Sequence, residues 1–198
     1  MAIIYLVRHG KTDFIGKKLC GNLPGIHLNE EGREQAQKAA DYLSNFPIKA
    51  IYSSPIERAF ETAEIIGYQS SLQVYPADYL REIHFGDLQG KGEKDLLDHP
   101  LWKKFNTLPA DVCFPNGESV VEVRNRVAKG LEILSHEFGK EDQLVCVAHS
   151  EVLRLAVCWL LDLPLDNFHR LTIDPASISK IEITPERKKL WLLNYRPI

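Results

Sequence analysis

The chain has 198 residues, 44% of them hydrophobic and 26% charged, with a net charge of −3. That length and composition suit one globular domain, residues 1–198, with a full-sized core. The slight negative balance excludes the electrostatic footprint of a nucleic-acid binder, so any anion must be held by a local cluster of cations.

Residues 3–10 read Ile-Ile-Tyr-Leu-Val-Arg-His-Gly. An apolar run of this kind predicts a buried parallel strand. It stops on Arg8, His9 and Gly10, placing a permanent cation and an imidazole at the carboxyl edge of a sheet, where open α/β folds bind ligands. The chain enters this strand without a basic leader, so no signal peptide is expected, and no segment is long enough to span a membrane. A polar loop, about residues 11–26, comes next. A helix is expected after Asn29, because Ala36, Ala39, Ala40 and Leu43 share one helical face. A short strand at Ala50-Ile51-Tyr52 leads to Ser53-Ser54-Pro55. Here Ser54 reads as an N-cap, Pro55 as the first helical residue and Glu57 as the partner in a capping box. The helix then runs through Ala59, Ala63 and Ile66, and a strand is expected around Leu72 to Tyr75.

Residues 84–117 mix glycine, proline, aromatic and charged residues without sustained periodicity, which suggests a partly helical excursion over the sheet's carboxyl edge, a candidate lid. Trp102, Phe105 and Phe114 are candidates for the pocket mouth or for packing within the lid. Val120, Val123, Val127, Leu131 and Leu134 then step by three and four along a long helix. Residues 144–149, Leu-Val-Cys-Val-Ala-His, repeat the opening device of an apolar run ending on histidine. A nearly all-apolar helix over 152–161 follows it. Strands near Ile178–Ile183 and Leu190–Tyr195, with a turn at Pro185–Lys189, are too closely joined to be anything but antiparallel. The fold class expected is α/β, a three-layer α/β/α sandwich, mostly parallel with an antiparallel C-terminal pair. The cysteines at 20, 113, 146 and 158 lie far apart, which argues against disulfides or a zinc site and suits a reducing cytoplasm.

Topology brings Arg8, His9, Arg58 and His149 to the carboxyl ends of the strands. Two guanidinium groups, two imidazoles and nearby helix N-termini compose an anion pocket. Taken singly, Arg58 reads as a surface arginine and His149 as a core histidine; together at one sheet edge they point to phosphate.

The ordered set Leu6-Val-Arg-His-Gly-Lys-Thr12, Ile51-Tyr-Ser-Ser-Pro-Ile-Glu-Arg-Ala-Phe-Glu-Thr-Ala63, Leu80-Arg-Glu-Ile-His-Phe-Gly86, Pro115-Asn-Gly-Glu-Ser119 and Ala148-His149 resembles the histidine phosphatase superfamily, in its compact branch of phosphoglycerate mutases and small phosphomonoesterases. The resemblance implies that His9 is the nucleophile and forms a phosphohistidine. It also implies that Arg8, Arg58 and His149 bind the phosphoryl group and that Glu82 donates the proton to the leaving group. A neutral imidazole is a competent nucleophile near neutral pH, and phosphoryl transfer needs mostly positioning and charge neutralisation. No metal or other cofactor is called for, and the expected partner is a small phosphorylated metabolite, with the chain a monomer or homodimer.

The chain also departs from the pattern. Ile15 stands where an asparagine is common, and Cys20 where a polar residue precedes the glycine. Ser150-Glu151 replace Gly-Gly or Gly-Asn, and Leu88-Gln89 replace Trp-Glu. Thr12, Asn22 and His84 are candidate substrate contacts. Glu151 is favourable at a helix N-terminus, yet near a phosphate pocket its charge would select a substrate bearing a cation. Three functions follow: a metal-independent phosphomonoester hydrolase, a phosphoglycerate mutase, and a catalytically silent phospho-ligand binder. The short segment after Glu82 favours the hydrolase over the mutase.

Overall fold

Alternation along the two histidine-terminated strands decides which helices cover which face of the sheet. The computed structural model describes residues 2–139 and 141–198. In β1 (Ala2–Arg8), Ile4 and Leu6 join one hydrophobic cluster while Tyr5 and Val7 join another. In β4 (Gln143–Ala148), Leu144, Cys146 and Ala148 go with the first set, Val145 and Val147 with the second. Side chains two apart on a strand share a face, so a fully apolar run buries both faces.

One face is covered by α1 (Glu30–Leu43) and α2 (Glu57–Ser70), through Ala39, Ala40, Leu43, Ala59, Ala63 and Ile66. Asn29 caps α1, its Oδ1 accepting from Gly32 N at 2.9 Å. The other face is covered by α5 (Val120–Glu137) and α6 (Ser150–Leu160). The remaining strands are β2 (Ile48–Ser53), β3 (Val74–Pro76), β5 (Ile178–Ile183) and β6 (Lys188–Tyr195). Sheet order is β3-β2-β4-β1-β5-β6. The β2–β3, β2–β4 and β1–β4 pairs are parallel; β1–β5 and β5–β6 are antiparallel. This is the expected three-layer sandwich.

The boundaries differ in three places. β3 begins two residues later than expected, and β6 begins at Lys188, because Thr184 and Arg187 already close the turn by mutual hydrogen bonds. α2 begins at Glu57, with Ile56 as its cap, so Ser54 and Pro55 precede the helix. The Ser54 hydroxyl accepts from Ile56 N at 3.3 Å and also bonds His149 Nε2, and the Glu57 carboxylate accepts from Gly25 N at 3.0 Å. A capping box does form elsewhere, between Ser119 and Glu122 at the start of α5. The segment 84–117 holds two short helices, α3 (Glu93–Leu97) and α4 (Pro100–Thr107), among turns. Among the described residues no helix is long and apolar enough to cross a membrane.

Candidate active site

β1 delivers Arg8 as its last residue and His9 immediately after; His9 N donates to Ala148 O at 2.9 Å, which ties the carboxyl end of β1 to that of β4. The first turn of α2 delivers Arg58, and His149 is the cap residue between β4 and α6. A cavity of about 150 Å³ is walled by Arg8, His9, Thr12, Lys18, Cys20, Arg58, Glu82 and Glu151, with Ile15, Leu19 and Phe85. His149 lies directly behind it, its ring 5.2 Å from that of His9 in an edge-on arrangement and its Nδ1 4.0 Å from Glu82 Oε2.

Hydrogen bonds fix the tautomer of His9. Its Nδ1 donates to the Gly10 carbonyl at 2.7 Å, so Nε2 carries the lone pair. Arg58 Nε donates to that lone pair at 3.3 Å, and Arg58 Nη2 donates to Gly21 O at 2.8 Å. Arg8 Nη1 donates to Ile173 O at 2.7 Å. Arg8 Nε, Arg58 Nη1 and His149 Nδ1 are buried without a hydrogen-bond partner. Buried donors normally find acceptors, and three around one cavity suit an anion with several oxygens.

The same burial sets the protonation states. Desolvation, then the charges of Arg58 and Arg8, hold the His9 imidazole well below its ordinary value. His149 is lowered in the same way by burial and by Arg58. Burial, reinforced by the Glu151 carboxylate, pushes Glu82 up to about 8, against the pull of Arg58 and the Ile83 N–H. At neutral pH the cavity therefore pairs an uncharged imidazole with a protonated carboxyl group, flanked by two guanidinium groups.

Of the further sequence candidates, Thr12 and Glu151 are on the cavity wall. Asn22 is not on it: its backbone N–H donates to Gln89 Oε1 at 2.9 Å. His84 is turned into its own loop, its Nδ1 accepting from Gly86 N at 3.3 Å and its N–H donating to Glu118 Oε2 at 2.9 Å. Phe105 and Phe114 are buried in an aromatic cluster with Phe85 and Phe168, so they pack the lid rather than line its mouth. Trp102 lines a separate hollow beside Leu96 and Leu97.

Four supporting residues were missed. Ser54 bonds His149 Nε2 at 2.9 Å across 95 positions of sequence. Thr62, one turn after Arg58 and visible in principle by that spacing, accepts from Gly10 N at 3.1 Å and donates to Arg58 O at 2.8 Å. Arg126 on α5 donates to the carbonyls of Tyr79, Arg81 and Glu82 and pairs with Glu118. Glu118 sits inside the Pro115–Ser119 motif but had no role assigned to it. Among the described residues no group of three or more His, Cys, Asp or Glu is placed to hold a metal ion.

This fold and this cluster define a histidine phosphatase. The chain belongs to the histidine phosphatase superfamily, whose branch 1 model matches residues 4–196. It is 37% identical over 159 residues to phosphoglycerate mutase-like protein 4 of Arabidopsis thaliana, covering 77% of this chain and 68% of that one. It is 31% identical over 196 residues to phosphoserine phosphatase 1 of Hydrogenobacter thermophilus, covering 98% and 92%. A solved mycobacterial glucosyl-3-phosphoglycerate phosphatase is similar with a TM-score of 0.86 and 29% identity, over 97% of this chain and 98% of that one.

Proposed function

We propose that the protein is a metal-independent phosphomonoester hydrolase acting through a phosphohistidine at His9. The observation that carries the reading is the tautomer lock: Gly10 O takes the Nδ1 proton, leaving the Nε2 lone pair on the cavity side of a ring held neutral by burial and two arginines.

In the first step Nε2 attacks phosphorus in line with the leaving oxygen, forming the N–P bond as the P–O bond breaks. The electron pair goes to the leaving oxygen, which takes the proton of Glu82. Arg8, Arg58 and His149 hold the three non-bridging oxygens, where charge is spread in the transition state. In the second step Glu82, now a carboxylate, takes a proton from water as that water attacks the phosphohistidine. Inorganic phosphate is released and both groups return to their starting states.

The substrate is a small phosphorylated metabolite whose phosphoryl end fits the 150 Å³ cavity. The relatives named above suggest phosphoamino acids and sugar-acid phosphates as the first classes to try. The test is phosphate release from a metabolite panel without added metal, beside isomerisation of 3-phosphoglycerate with a bisphosphoglycerate primer. Net phosphate release supports the hydrolase; primer-dependent isomerisation without release would make the protein a mutase. Binding with neither reaction would make it a silent phospho-ligand binder.

A further inference from the structure

Two carboxyl groups share the cavity wall, and the chemistry above uses only one. Glu151 stands in the first turn of α6, two residues after His149, and lines the same 150 Å³ cavity as Glu82. Two carboxyl groups on the wall of one small cavity repel when both are ionised, which favours the protonated form of one of them.

Geometry decides which. Arg154 Nη1 lies 3.5 Å from Glu151 Oε1, and the N-terminal end of α6 favours a negative charge there. Glu82 is the more deeply buried of the two, with side-chain exposures of 8% against 24%. Around Glu82 stand Arg8, Arg58, the uncharged His149 and Cys20, while Arg126 reaches only its backbone carbonyl. Among the described residues the contact of Glu82 within ion-pair range is that to the uncharged His149, whose Nδ1 is 4.0 Å from Oε2, whereas Glu151 has the permanent cation of Arg154.

We propose that Glu151 is a positioning residue whose carboxylate, on the cavity wall it shares with Glu82, keeps the transferable proton on Glu82 until a phosphomonoester is seated. The inference rests on Glu82 being the leaving-group acid. Once the proton has passed to the leaving oxygen, the two carboxylates repel, and that repulsion strengthens Glu82 as the base for the water step. Glu151 thereby serves both half-reactions without touching the transferred group.

The experiment compares pH profiles of kcat/KM for an alkyl phosphate and for nitrophenyl phosphate, in the wild type, Glu151→Gln, Glu151→Asp and Glu82→Gln. Glu151→Gln should move the alkaline limb for the alkyl ester to lower pH, with a loss of about tenfold on the alkaline side for each unit moved. Nitrophenyl phosphate, whose leaving group needs no proton, should keep its profile, and Glu151→Asp should restore much of the alkyl limb. An unmoved limb in folded Glu151→Gln would overturn the proposal. So would an equal loss on both esters at every pH, which is a structural role, or a loss confined to an ammonium-bearing ester such as phosphoethanolamine, which is cation recognition. Should Glu82→Gln lose the two esters equally, the acid assignment itself fails and this inference falls with it; a selective Glu82→Gln with an unmoved Glu151→Gln overturns this inference alone.

Discussion

Burial sets the protonation states of His9 and Glu82: it keeps the imidazole neutral below its ordinary range and the carboxyl group protonated above its own. Because desolvation and two neighbouring arginines lower the His9 imidazole, it stays neutral as pH falls through the ordinary imidazole range around 6.5. An NMR titration of the free protein should therefore place its midpoint well below that range; a midpoint at or above it would contradict the electrostatic account. Glu82→Gln should slow alkyl esters by about 10²–10⁴-fold, the usual worth of a positioned acid, and nitrophenyl phosphate far less. Arg8, His9, Arg58 and His149 are legible because each ends or starts an element with a sharp signature, whereas Glu82 lies in an irregular stretch and is legible only through the family motif. Asn22 and His84 lie in loops, where spacing says nothing about which way a side chain turns. Their hydrogen bonds to Gln89 and Glu118 come from segments 67 and 34 positions away.

Elements position the acid. Arg126 projects from α5 and gathers three successive stretches of backbone, at Tyr79, Arg81 and Glu82, while its Glu118 partner holds His84 N. The Glu82 segment is otherwise irregular, so this clamp stands in for a strand or helix. Gly86 completes it: at φ +52°, its missing Cβ would fall 1.8 Å from Pro115 O. Arg126→Met should cost about 2 kcal/mol of stability, by leaving partly buried acceptors unpaired. It should lower kcat for alkyl esters more than for nitrophenyl phosphate, since it loosens the acid rather than the phosphate cradle; denaturant melts and paired kinetics check both. The long amphipathic helices and the apolar strands could be read from periodicity. The start of α2 could not: Ser54 bonds both Ile56 N, two residues on, and a histidine 95 positions away, and the helix begins only at Glu57. The segment 84–117 was legible only as a non-periodic stretch: its order comes from Phe85, Phe105 and Phe114 packing on one another and from Phe105 meeting Phe168 from beyond α6, contacts that leave no local period.

At the scale of the whole molecule, the site is bought with stability. Below the ordinary carboxyl range Glu82 is protonated in folded and unfolded chains alike. Between 4.5 and about 8 the unfolded chain releases a proton that the folded chain keeps, so stability falls as pH rises through that window. Glutamine does not titrate, so Glu82→Gln should melt at a higher temperature than the wild type near pH 8, with the gap closing toward acid pH; calorimetry across that range checks it. His9 and His149 act in the opposite direction. Both are buried neutral, so the unfolded chain takes up protons first as pH falls below 6.5, and stability is lost toward acid pH. The overall architecture was legible because both faces of β1 and β4 are apolar, which demands helices on either side. Rapid-quench trapping during turnover is the most direct measurement of the account. It should capture an acid-labile, base-stable phosphoryl group on the wild-type protein and none on a folded His9→Ala variant. Turnover that proceeds with no adduct, or an adduct that survives in His9→Ala, would contradict it.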